Sequence, residues 1–154
     1  NQRTRFMKDL LAQIIPSLEK IRKEIHQDPE VSQLEFNTAK RIKSFLEKHS
    51  DACIKSVANT GVLAIFDSNT PGPEILLRAD TDALPIEEIN TFDHKSKNRG
   101  VSHKCGHDGH MTMVAGLSHL MKNEPPGKGK VVLLFQSAAI GGGQRRRFGT
   151  TIYY

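Results

Sequence analysis

Tryptophan is absent from this sequence of 154 residues, aromatic side chains make up only 6% of it, and it has two cysteines. Two thiols, Cys53 and Cys105, are too few to read as a disulfide framework. No apolar run approaches the roughly 20 residues that a membrane-spanning helix needs, and no secretory leader is recognisable. Neither a membrane partner nor a disulfide-stapled fold is therefore expected, and a cytoplasmic location is the expectation. The sequence starts at Asn1, so a removed preceding segment stays open. Acidic residues are missing in a positional sense: no Asp or Glu occurs after Glu124. The formal net charge is +5. Arg145, Arg146 and Arg147 account for three of those charges, so the basicity belongs mostly to the tail. A basic face of the kind that tracks nucleic acid is not indicated.

What is present suffices for one domain with its own core. Over residues 4–26, Phe6, Leu10, Leu11, Ile14, Leu18, Ile21 and Ile25 recur at helical spacing, with Pro16 expected to kink or divide the helix. Ser32-Gln33-Leu34-Glu35 has the form of a capping box. The helix it opens should run to about His49, with Phe36, Ala39, Ile42, Phe45 and Leu46 inward. Residues 61–66 and 74–79 read as two adjacent, antiparallel strands joined by a loop rich in turn residues. Residues 84–101 read as a long polar loop. A helix should follow over 110–122, burying Met113, Val114, Leu117, Leu120 and Met121, and then a strand over 131–135 buried on both faces. Helices alternating with strands in this way give an α/β class.

Chemistry is concentrated in His103-Lys104-Cys105-Gly106-His107-Asp108-Gly109-His110, where three imidazoles, a thiol and a carboxylate share eight residues. Thiolate sulfur and neutral imidazole nitrogen are what borderline-soft divalent metals prefer. In extended backbone, Cys105 and His107 project to the same side, and both could reach one ion at about 2.3 Å and about 2.0–2.1 Å. Asp80-Thr81-Asp82 follows a strand, and sites in α/β sheets form outside strand ends. Its carboxylates suit a metal ligand or an orienter of a ligating histidine, though a solvated turn is the plainer alternative. Cys53 reads as a small buried hydrophobe. His49, His94 and His119 read as bystanders, and Glu87-Glu88 as a solvated pair.

Four blocks then resemble, in order, the co-catalytic metallopeptidase family of aminoacylases, hippurate hydrolases and auxin-conjugate (indole-acetyl-amino-acid) amidohydrolases. They are His26-Gln27-Asp28-Pro29-Glu30-Val31-Ser32; Leu77-Arg78-Ala79-Asp80-Thr81-Asp82-Ala83-Leu84-Pro85-Ile86; the segment from His103 to His110; and the run from Val131 to Gln136. The resemblance implies a zinc-exopeptidase-like mixed sheet flanked by helices. Only the N-terminal portion is expected here, over 1–136, without the lid or dimerisation domain. It implies Cys105 and His107 as metal ligands, Asp80 and Asp82 in the place of a His-x-Asp pair, and Asp82 as orienting carboxylate. The role of His110 stays open. The implied cofactor is a divalent metal (zinc, manganese or cobalt), up to two ions in the full site. The implied reaction is hydrolysis of an N-acyl amino acid or peptide-like substrate by metal-activated water.

The pattern also departs from that family. Two adjacent glutamates are expected just after Phe-Gln, but Phe135-Gln136 is followed by Ser137, Ala138, Ala139 and Ile140. One glutamate would be the general base, whose loss typically costs about 10²–10⁴ in rate. The chain alone is therefore expected to be inactive. Residues 137–154 read as an atypical, flexible basic tail. A sheet cut short is expected to leave open edges and favour self-association. The alternative is a non-catalytic metal-binding or interaction protein that keeps the scaffold.

Overall fold

The structure is a computed structural model and describes residues 2–137. The triple arginine and the positions Ala138, Ala139 and Ile140 lie outside the described residues. Three helices and four strands follow in the order α1 (Gln2–Gln27), α2 (Phe36–His49), β1 (Cys53–Val57), β2 (Gly61–Asp67), β3 (Glu74–Asp80), α3 (His107–Asn123) and β4 (Lys130–Gln136).

The sheet order is β1-β2-β4-β3. β2 pairs antiparallel with both β1 and β4, whereas β3 pairs parallel with β4. The sheet is therefore mixed, and β2 and β3 are not neighbours: β4 lies between them. This corrects the antiparallel pair expected from sequence adjacency. The short connection between β2 and β3 crosses over the position that β4 later fills, and the passage through α3 makes β4 parallel to β3. β1 went unrecognised because its five residues are exposed or half-buried and carry no clean apolar alternation.

α1 runs through Pro16 unbroken. Its inward stripe is Leu10, Ile14, Ile21 and Ile25, while Phe6 and Leu11, expected inside, are exposed. α2 likewise buries Ala39, Ile42, Phe45 and Leu46 but leaves Phe36 outside, because Phe36 is the first residue of the helix and sits beyond the packed stripe. In α3 the buried face is Met111, Val114, Ala115 and Leu120. Leu117 and Met121 pack against it in part, and Met113 points to solvent. Helix α3 begins at His107, one turn earlier than its apolar period suggests, and this brings the metal-type residues onto its first turn. Gly116 faces Leu18, where an added Cβ would come within 3.0 Å of a leucine methyl, so the glycine lets α1 and α3 approach.

The helical part of α2 starts at Phe36, directly after the Ser32–Glu35 segment. Glu35 occupies the cap position without a side-chain capping bond. Its carboxylate is buried and accepts hydrogen bonds from the hydroxyls of Thr60 and Ser137. The free N–H groups of α2 are met instead by the Glu30 carboxylate, which accepts from the backbone of Asn37 (3.0 Å) and Thr38 (2.7 Å) and from the Thr38 hydroxyl. β3 and β4 run parallel and end side by side. Thr81 N–H and hydroxyl both donate to the Gln136 carbonyl, at 3.0 and 3.1 Å.

Candidate metal-binding site

Three of the four residues singled out for chemistry meet just beyond the ends of these strands. Gly106 precedes α3 in the left-handed region (φ 84°), a conformation that glycine adopts without strain. The turn it makes brings Cys105 and His107 to the segment after β3. There the carbonyl oxygen of Asp82 accepts from His107 Nδ1 at 2.9 Å and from the Cys105 thiol at 3.8 Å. Asp82 Oδ1 accepts from the same ring nitrogen at 3.0 Å. Nδ1 therefore carries the hydrogen, and Nε2 keeps its lone pair for a ligand.

Asp80 is not drawn into this group. One of its carboxylate oxygens accepts from Arg78 Nε (3.0 Å) and from a terminal Arg78 nitrogen (2.6 Å). His110 sits on the next turn of α3, its ring centroid 6.0 Å from that of His107. Burial raises the Cys105 thiol pKa; the His107 N–H lowers it but is outweighed, and the nearby charge of Asp82 raises it further. The free thiol is thus protonated, and a metal bound there would displace its proton. The donors fit such an ion in kind: a sulfur and an imidazole held in one tautomer. Among the described residues no group of three or more His, Cys, Asp or Glu stands close enough together to hold one.

The same elements resemble known structures. The described fold matches a solved Bacillus subtilis protein, YXEP, a dinuclear metal binding peptidase from the M20 family, with a TM-score of 0.75 and 36% identity over 85% of this chain and 36% of that one. The sequence pattern of peptidase family M20/M25/M40 covers residues 76–143, from β3 through the Cys105–His107 turn and beyond β4. Over this stretch the chain is similar to peptidase family M20/M25/M40. Among curated relatives, N-acetyl-L-cysteine deacetylase of Bacillus subtilis is 44% identical over 77% of this chain and 29% of its own length. IAA-amino acid hydrolase ILR1-like 6 of Arabidopsis thaliana is 43% identical over 79% of this chain and 26% of its own. The chain thus spans less than a third of the length of these two relatives.

On the other side of the same turn lies a buried polar group that the sequence reading missed. His26, at the end of α1, places Nδ1 2.9 Å from Asp108 Oδ2 and Nε2 3.1 Å from Glu88 Oε1. Glu88 is not a solvated loop residue: its side chain is only 2% exposed. Besides His26 it accepts from the Ser96 N–H (2.6 Å) and the Asn90 amide (2.8 Å). Burial alone would raise its carboxyl, but these donors outweigh that and hold it down at about 2. Burial would likewise raise Asp108, whose carboxyl is held low chiefly by His26. His103 is buried beside them, and burial pushes its ring down to about 4. Among the described residues both His103 nitrogens lack partners. His94 is no bystander either: it stacks on Phe92 and lies 5.6 Å from His26 by ring centroid. His26 and Asp108 belong to blocks that carry the family resemblance, but nothing in the sequence tells that residues 82 apart touch. Cys53 also departs from expectation. It is free and exposed on β1, an outer strand of the sheet.

Proposed function

We propose that this chain is the metal-binding part of a metal-dependent amidohydrolase that releases an amino acid from an N-acyl amino acid or peptide-like substrate. Residues 1–136 would be the N-terminal portion of its catalytic domain. The observation that carries the reading is the Asp82–His107 pair with Cys105 on the same carbonyl. It is the arrangement of a carboxylate-oriented imidazole beside a thiol, which suits zinc, manganese or cobalt. The names of the relatives, a deacetylase of N-acetyl-L-cysteine and hydrolases of IAA-amino acids, support the acyl–amino acid substrate class.

In this reading Cys105 and His107 Nε2 hold the ion, and Asp82 fixes the ring of His107 and stabilises it as a ligand. Asp80 is paired with Arg78 and has no direct part in holding the ion in this arrangement. When bound, the metal supplies an activated water and polarises the scissile carbonyl. No carboxylate follows Glu124 to take up that water's proton, so the 154-residue chain by itself is expected to turn over no N-acyl amino acid. That same feature favours the second reading, a non-catalytic metal-binding protein on the family scaffold.

Calorimetric titration of the chain with Zn²⁺ tests the site. One ion per chain should bind, and Cys105→Ser or His107→Ala should each weaken binding by at least about tenfold, since each removes a direct ligand. A parent chain that takes up no zinc, or variants that bind as well as the parent, would sink the proposal. A steady-state assay on N-acyl amino acids with added Mn²⁺ or Zn²⁺ separates the two readings for any longer form of the protein.

A further inference from the structure

The polar group behind the turn has no evident part in holding a metal, yet it is more elaborate than a surface ion pair. His26 stands between two carboxylates that are each almost wholly buried, with side-chain exposures of 2%. Each ring nitrogen lies within hydrogen-bond distance of one carboxylate, so rotation of the ring would break both contacts. Glu88 is in turn fixed by Ser96 and Asn90, and Lys104 reaches it at 3.6 Å. Asp108 is the residue next to His107, on the first turn of α3. An aspartate there would ordinarily serve its own helix N-terminus. Here the carboxylate takes the Gly109 N–H of its own helix and Oδ2 also reaches across to His26, and the Arg22 guanidinium approaches it at 3.4 Å. The bonds thus connect the end of α1, the loop after β3 and the turn that carries Cys105 and His107.

We propose that His26, anchored by Glu88, is a positioning residue: through Asp108 it fixes the first turn of α3 from behind and so sets the spacing of Cys105 and His107. Asp82 orients the His107 ring from the front, and His26 holds the backbone that carries it. The inference rests on the metal-binding reading for its functional meaning, but the geometry it claims is testable in the metal-free chain as well. The packing of α1 on α3 through Leu18 and Gly116 is independent of the polar link, which supplies a control for simple loss of stability.

The test uses the full chain in a Cys53→Ser background, since Cys53 is an exposed second thiol. Cobalt titration is followed by the thiolate-to-cobalt absorption of Cys105. His26→Ala should weaken cobalt binding by about ten- to a hundredfold, the range found when an outer partner of a ligand is lost. Glu88→Gln should weaken it less, and His26→Gln, which retains one N–H donor, should recover part of the loss. Leu18→Ala should lower the melting temperature and leave cobalt affinity unchanged. Equal affinity in His26→Ala and the parent overturns the inference, as does a loss in Leu18→Ala as large as that in His26→Ala. Where His26→Ala does not fold, His26→Gln and Glu88→Gln carry the comparison. If the parent binds no cobalt, the metal-binding reading fails, and amide hydrogen exchange decides the positioning on its own. His26→Ala should then speed exchange in residues 106–110 relative to the rest of α3, and a uniform change along α3 refutes it.

Discussion

Glu88 shows how far a residue's neighbours can reverse its apparent character. In sequence it is half of an acidic pair in a polar loop, and a solvated role is the natural expectation. Folded, it is buried against His26, Ser96 and Asn90, and its carboxyl falls from 4.5 to about 2. The folded chain therefore binds fewer protons at this group than the unfolded chain does between those values. Its stabilising contribution is complete above 4.5 and is lost as the pH falls toward 2. Urea unfolding of the parent and Glu88→Gln should show a stability difference that is widest near neutral pH and closes across that interval. A difference that stays constant through the acid range would mean that the charge of Glu88 contributes nothing. The Cys105 and His107 donors were legible at this scale because they lie two positions apart. The links of His26 to Glu88 and Asp108 were not, because they join positions 62 and 82 residues distant, which no local pattern encodes.

At the scale of elements, apolar runs and periodicity located α1, α2, α3, β2, β3 and β4, and all but β3 bury a stripe or face that those residues mark out. Their ends and faces were less legible. Phe36 and Met113 fit the helical period but sit where no partner layer covers them. The capping-box pattern did not tell where the Glu35 carboxylate goes: it is taken up by Thr60 and Ser137, and Glu30 meets the first N–H groups of α2. Glu30→Ala should therefore destabilise the chain by about 1 kcal/mol, the usual cost of a lost helix cap. Denaturant midpoints of this variant and the parent check this, and an unchanged midpoint would refute it.

For the whole molecule, the mixed sheet flanked by helices was legible as an α/β class, and the family resemblance indicated its mixed pairing. The strand order was not, because placing β4 between β2 and β3 depends on a connection through all of α3. That order leaves β3 as an outer strand, with Ile75, Leu76 and Leu77 at 52%, 43% and 38% exposure. Among the described residues its outer edge pairs with nothing. An apolar outer strand with free backbone groups invites pairing with another chain. Sedimentation of the 154-residue chain should show association, and Ile75→Lys should shift it toward monomer. A parent that sediments as a single monomeric species would refute this. No described helix is long and apolar enough to cross a membrane.

The Asp82 carbonyl oxygen is a common reference mark for two donors, since thiol and imidazole both hang on it. The peptides on either side are clamped: Thr81 to Gln136 at the end of β4, and the Ala83 N–H to the Glu30 carbonyl after α1. A displacement of this short stretch would carry sulfur and ring off together, whereas loss of the Asp82 carboxylate would loosen only the ring, which keeps its bond to the carbonyl. The placement of the two donors is thus inherited from two remote parts of the chain, the end of β4 and the segment after α1, and a substitution in either would move sulfur and ring without touching them.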